Sequence, residues 1–268
     1  DGEYAVELSF RLKEDCAWAK RGHEVAFGQE VFGKWSLESQ KDVELYREDV
    51  AFTRAAETRA SSRQGGIRPM KFALAPVDFG VRGEHFEVNF SKKKGLTAYR
   101  YDNQNLIAMI PRPNFWRAPV DNDWGNQMPH RYSQWKTAGM YAVFNREPDI
   151  EFTGDKLVTT FHYDLATEPR SYCDVTYVVT GDGKVTMTMK YLPGDHLSEM
   201  PECGMMFKIP KEYGHLRWYG LGPQETYADR KHGARLGIYE NDVSDNLAKY
   251  LVPQECGNHE GVRFAEIT

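Results

Sequence analysis

Residues Tyr172–Tyr191 read YCDVTYVVTGDGKVTMTMKY, and this stretch decides the fold class. Valine, threonine, tyrosine and methionine alternate along two arms of about equal length. Asp182-Gly183 stands at the centre, where a hairpin needs residues that tolerate left-handed backbone. The reading is a β-hairpin. Outward from it the same grammar repeats. KLVTTFHY (156–163) precedes it, and GMMFKIP (204–210), HLRWYGL (215–221), ARLGIYE (234–240) and KYLVP (249–253) follow as further strands. Upstream, EHFEVNF alternates Phe86, Val88 and Phe90, KKKG makes a turn, and LTAYRY continues. One helix is expected, with Pro129 in its first turn, Tyr132 and Trp135 three apart, and Gly139 after its end. Many short strands with a single helix predict an all-β, large antiparallel sandwich.

The first segment differs. EYAVELSFR places Tyr4, Val6, Leu8 and Phe10 on one face and Glu3, Glu7 and Arg11 among the polar positions, the pattern of a half-buried antiparallel strand. A second strand is expected around His23–Val31. Two or three strands make a poor independent domain. Residues 1–38 therefore read as the last strands of a partial β-sandwich, or as an extension lying on the next domain. Residues 39–70 are charged, contain Ser, Arg and Gly, and are weakly periodic, so they read as a linker, with 71–268 as the main domain.

Composition excludes several classes. The 268 residues carry 34 basic and 39 acidic side chains, a net charge of −5, which gives no reason to expect nucleic acid or an anionic membrane as partner. No apolar run approaches the ~20 residues that span a bilayer. Cys16, Cys173, Cys203 and Cys256 lie far apart, without a CxxC or Cys/His pattern, and read as free thiols in a reducing compartment, hence a cytoplasmic location.

Three stretches could carry chemistry. In NFWRAPVDNDWG (114–125), Asp121 and Asp123 flank Asn122 and precede Trp124-Gly125. The stretch reads as a loop, and the acids could cap backbone N–H groups, bind a cation or serve as a glycosidase's catalytic pair. An EF-hand does not fit, because position 12 would be Tyr132. In WYGLGPQETYADRKHGA (218–234), Tyr227 with Asp229 and Arg230 could clamp a sugar, or the polar set could hold the loop's shape. In VPQECGNHEG (252–261), Glu255 and His259 could hold a metal, act as an acid/base pair, or bond within the loop. Among the other histidines, His162 is a further candidate base and His130 reads as a surface residue.

Taken together, NFWRAPVDNDWG with QWKTAG (134–139), WYGLGPQETYADR (218–230) and YLVPQECGNHEGVR (250–263) resemble the small-chain domain of family 2 β-galactosidases, in the family's order and spacing, over about residues 84–264. AWAKRGHEVAFGQEVF (17–32) is similar to the end of the immunoglobulin-like domain that precedes it. The resemblance implies a large antiparallel supersandwich of the galactose mutarotase type. It implies that this portion is non-catalytic, hydrolysis of terminal β-D-galactosides such as lactose being done by glutamates on a TIM barrel elsewhere in the polypeptide or on a large subunit. It implies magnesium and sodium for the whole enzyme, none of them held by this chain, and a homo-oligomeric enzyme. Residues expected to face substrate are Asp121, Asp123, Trp124, Gly125, Tyr227, Asp229 and Arg230. Gly125–Pro129 corresponds to a loop that moves in the family when sugar binds. The domain is expected to continue beyond Thr268, with a tryptophan that stacks on the aglycone. The alternatives are a stand-alone carbohydrate-binding module, or a sugar epimerase using His259 or His162 with Glu255 or Glu225.

Overall fold

A computed structural model describes residues 2–33 and 68–268. The expected linker 39–70 lies outside the described residues except for its last three. The chain divides into two compact units that interleave in sequence: Asp1–Gly65 with Gly214–Ala248 and Cys256–Thr268, and Gly66–Tyr213 with Lys249–Glu255.

Along the chain, strands β1 (Glu3–Arg11) and β2 (Glu24–Gly33) come first. Then follow β3 (Lys71–Leu74), β4 (Asp78–Arg82), β5 (Phe86–Ser91), β6 (Gly95–Tyr101), β7 (Gln104–Asn105) and β8 (Met109–Asn114). Three short helices, α1 (Asp121–Gly125), α2 (Met128–Arg131) and α3 (Ser133–Ala138), lead into β9 (Val143–Phe144) and β10 (Asp149–Phe152). Next are β11 (Lys156–Leu165), β12 (Ser171–Thr180), β13 (Val185–Leu192) and β14 (Gly204–Lys208). Finally come β15 (His215–Gly222), β16 (Arg235–Asp242) and β17 (Phe264–Ile267). All pairings between these strands are antiparallel. The all-β expectation is met.

In the second unit, β3 to β7 form one sheet in sequence order and β10 to β13 another, with β9 also on β11. β12 is its best-paired strand, in register with β11 from Ser171 to Thr180 and with β13 from Tyr172 to Val179. Its alternation is read out directly: Cys173, Val175, Tyr177 and Val179 are buried, and the residues between them are not. The two sheets meet through aromatic rings. Phe90 lies 5.3 Å from Tyr177 and 6.0 Å from Phe161, and Phe79 lies 6.3 Å from Phe161. Burying each such side chain stabilises the fold by roughly 1.5–3 kcal/mol. The hairpin turn needs its glycine. Gly183 has φ +88°, and a Cβ there would stand 2.9 Å from the Phe86 ring.

The expected single helix is instead broken into α2 and α3, and α1 precedes them. Gln127 in left-handed conformation (φ 59°) ends the α1 region, and Tyr132 (φ −116°) separates α2 from α3. The run still buries the pair its spacing marked, Tyr132 and Trp135, with Met128 and Ala138 also in the core, and Trp135 donates its indole N–H to Ser198 Oγ at 3.1 Å. KYLVP is not a strand; Leu251 and Val252 form an exposed bend. Pro253 has no N–H to give a ladder and biases Val252 before it, so the segment lacks the donors a strand needs at its end.

In the first unit, β15 lies between β16 and β17, and β1 pairs with β2 as a separate ribbon. Trp218 is the buried centre, 5.5 Å from the Tyr239 ring and 4.2 Å from the His259 ring. The β1–β2 ribbon is not half-buried in the way its pattern suggested. Its polar face does the docking: Glu3 bonds Arg263 and Tyr219, Glu24 bonds Arg235, and the Arg235 guanidinium lies 3.8 Å over the Phe27 ring. Tyr4, Val6, Leu8 and Phe10 are 54–66% exposed.

Candidate functional site

The first motif starts inside the core and ends in solvent. Asn114 closes β8 and spends its amide on Trp116 O (2.8 Å) and Glu202 Oε1 (2.9 Å). Phe115 is fully buried, 5.8 Å from the rings of both Trp135 and Tyr191. From this anchor the chain emerges as Arg117-Ala118-Pro119-Val120 and turns into α1. Asp121–Gly125 is therefore helical rather than an irregular loop. Asp123 is the reason: its Oδ2 accepts the Val120 N–H at 2.8 Å, the reach-back an acidic residue makes three positions into a helix. Arg117 grips the same carboxylate through both guanidinium NH2 groups, one of them on Oδ1 at 3.0 Å. Burial pushes the Asp123 pKa up, but the Arg117 guanidinium and the Val120 N–H outweigh it, so the net shift is down. Arg117 is raised in turn, first by its bond to Asp123. Asp121, Trp124 and Gly125 are exposed, Trp124 at 59%.

Two further side chains reach this segment. Glu255 Oε2 accepts the Ala118 N–H at 2.9 Å, and Gln254 Oε1 accepts the Asp121 N–H at 3.2 Å. Sequence reasoning had Glu255 as a partner of His259. The two have different neighbours: His259 stacks on Trp218 and bonds Asn246 Oδ1 at 3.1 Å. Burial lowers the His259 pKa. No local signal could have found Glu255 or Gln254, because their partners lie more than 130 positions away.

Tyr227, Asp229 and Arg230 belong to the other unit. Tyr227 and Arg230 close a tight turn, the Arg230 N–H bonding Tyr227 O at 2.8 Å, with Asp229 exposed at its tip. The Arg230 guanidinium lies 5.6 Å from the Tyr227 ring centre and pairs with Glu225. Glu225 also accepts the Gly257 N–H at 2.7 Å. Thr226, buried, exchanges hydrogen bonds with Asn258 and takes the Glu260 N–H on its hydroxyl at 2.7 Å. Beside this turn is an open cavity of about 700 Å³ lined by Gln224, Asp229, Arg230, Asn241, Asp245 and Asn246, among others.

His162, the other candidate base, is held on β11 between Asp174 Oδ1 (2.7 Å from Nδ1) and Asp149 Oδ2 (2.9 Å from Nε2), with Arg146 alongside. Among the described residues no three His, Cys, Asp or Glu side chains are placed to hold a metal ion, and no helix is long and apolar enough to cross a membrane.

An antiparallel, multi-sheet protein whose acid-rich and aromatic loops are held by side-chain hydrogen bonds is the class these features define. The chain belongs to the β-galactosidase small chain family, whose model matches residues 82–268, and residues 1–32 match domain 4 of β-galactosidase. It is 35% identical to a β-galactosidase of Halalkalibacterium halodurans over 99% of the chain and 24% of that relative. It is 34% identical to one of Priestia megaterium, with the same coverage of each. A β-galactosidase small subunit of Latilactobacillus sakei is 29% identical over 71% of the chain and 66% of that relative. The chain thus spans about a quarter of the length of the first two relatives.

Proposed function

We propose that this chain is the non-catalytic C-terminal portion of a retaining family 2 β-galactosidase acting on terminal β-D-galactosides such as lactose, and that it forms one wall of the active-site mouth. The observation that carries this reading is the fate of Asp123. A glycosidase needs a carboxyl group free to protonate a leaving group or attack a sugar carbon. Asp123 is instead tied to Arg117 and Val120 N–H and held ionised. It shapes the segment that presents Asp121, Trp124 and Gly125. Tyr227, Asp229 and Arg230 are the residues of the second motif assigned to the substrate side.

The remaining parts follow from that reading. Residues 1–38 complete an immunoglobulin-like domain, 39–70 join it, and 71–268 belong to the supersandwich. The catalytic glutamates sit on a TIM barrel in the same polypeptide or on a large subunit, in a homo-oligomeric cytoplasmic enzyme that engages neither nucleic acid nor membrane. Four free thiols suit that compartment. Magnesium and sodium belong to the whole enzyme. Among the described residues no three His, Cys, Asp or Glu side chains are grouped as a divalent-metal site would need, and none of the roles given to this chain's residues calls on an ion.

The test is turnover of o-nitrophenyl β-galactoside. The isolated chain is expected to give none, and addition of the cognate catalytic portion is expected to restore it. Robust turnover by the chain alone would overturn the reading. The 700 Å³ cavity beside Asp229 and Arg230 favours a second reading, a carbohydrate-binding module. That reading requires calorimetric galactose binding at millimolar sugar that Tyr227→Ala abolishes.

A further inference from the structure

The third motif, VPQECGNHEG, is the fastening for the other two. Every backbone N–H that exists between Ala118 and Asp121 ends on a side-chain oxygen. Ala118 donates to Glu255 at 2.9 Å, Val120 to Asp123 at 2.8 Å and Asp121 to Gln254 at 3.2 Å, while Pro119 has no N–H to give. A five-residue helix does not sustain itself in water, because nucleation costs more than so few internal bonds return. α1 therefore leans on side-chain acceptors: Asp123 is its own, and the other two come from adjacent residues of the third motif. Glu255 also adds to the field that keeps Arg117 charged. The following residues do the same for the second motif. The Gly257 N–H goes to Glu225, the Glu260 N–H to the Thr226 hydroxyl, and Asn258 bonds the Thr226 backbone in both directions.

We propose that Gln254 and Glu255 are positioning residues for the active-site mouth: they set the conformation of Ala118–Gly125 and so the geometry in which Asp121 and Trp124 meet the galactoside. The role in the mouth rests on the β-galactosidase reading above; the fastening itself does not. Neither residue touches the reacting atoms. Their effect is to make the wall rigid before substrate arrives, which lowers the ordering cost of binding.

Amide hydrogen exchange on the 268-residue chain tests the fastening. Gln254→Ala with Glu255→Ala is expected to speed exchange in the 117–125 peptide by about tenfold or more, leaving the 172–191 hairpin unchanged. Glu255→Gln keeps an acceptor oxygen and is expected to restore most of the protection. Unchanged exchange, loosening shared by the hairpin, or no recovery with Glu255→Gln would each overturn the proposal. In enzyme reconstituted with the catalytic portion, the double variant is expected to raise KM by about tenfold with a smaller change in kcat, the mark of lost preorganisation. An unchanged KM would remove the residues from the mouth. If the exchange result holds while the unmodified reconstituted enzyme never turns over a galactoside, the β-galactosidase reading fails and the fastening stands.

Discussion

The β12 strand and the β1 strand are written in the same grammar and have opposite fates. Both alternate apolar with polar residues, and both pair antiparallel over most of their length. In β12, Val175, Tyr177 and Val179 are fully buried. In β1, Tyr4, Val6, Leu8 and Phe10 are exposed, and the face that packs is the one carrying Glu3 and Glu7, through Arg263, Tyr219 and Arg235. Alternation reports that a strand has an apolar face. It does not report whether this chain supplies the layer that covers it. The ribbon lies almost wholly within residues 1–32, the stretch that matches domain 4 of β-galactosidase.

The largest expected effect tests the buried half of this comparison. Tyr177→Ala should destabilise the second unit by about 3–5 kcal/mol in denaturant unfolding, whereas Leu8→Ala in this chain should cost less than about 0.5 kcal/mol. Comparable losses would erase the distinction. The next experiment sharpens it. Phe10→Asp should be nearly silent here, yet cost roughly 2 kcal/mol in the longer polypeptide if preceding strands bury that face. An equally silent substitution there would mean the ribbon stays uncovered.

Smaller effects concern the held loops. Arg117→Ala should destabilise the second unit by about 1–2 kcal/mol, by leaving Asp123 without its main partner. Because the Asp123 pKa is lowered on folding, its contribution is present above the unfolded carboxylate value of about 3.9 and fades as pH falls through the folded one. The stability gap between the natural chain and Asp123→Asn should close as the solution is acidified below that value, and a gap independent of pH would contradict the pairing. The smallest effect belongs to His259, whose pKa is lowered by burial against Trp218. The folded state prefers the neutral ring, so its contribution is complete above about 6.5 and declines as pH falls. Thermal melts of His259→Gln should lose that part of the pH dependence, and an identical profile would place the titration elsewhere.

Much of the fold was legible because its signals are local. The β12–β13 hairpin announces itself through Asp182-Gly183 and two alternating arms, and Tyr132 and Trp135 are buried together as their spacing of three requires. α1 was missed because Asp-Asn-Asp also spells a turn. The distinguishing bond, Val120 N–H to Asp123, is accepted by an acid three positions into a helix, a pattern that a turn with the same residues would also show. KYLVP has four apolar residues behind Lys249, the composition of a short strand, but ends in Pro253 and forms a bend. The fastening of the first motif by Gln254 and Glu255 had no local trace at all. It exists only once residues 137 and 133 positions apart are brought together. The same holds for the ribbon's packing face, which Arg235 and Arg263 decide from the far end of the chain.

Gln29 reaches across to the outer strand of the β15–β17 sheet. Its side-chain amide gives one hydrogen bond to Leu236 O (2.9 Å) and takes one from Leu236 N–H (2.7 Å), so it stands in for the peptide group of a neighbouring strand. Leu236 lies on β16, the outer strand of its sheet. A foreign strand seeking to extend that sheet would need those two backbone groups, and finds them already answered. One glutamine thus takes one hydrogen-bonding position of that outer strand out of reach of an incoming strand.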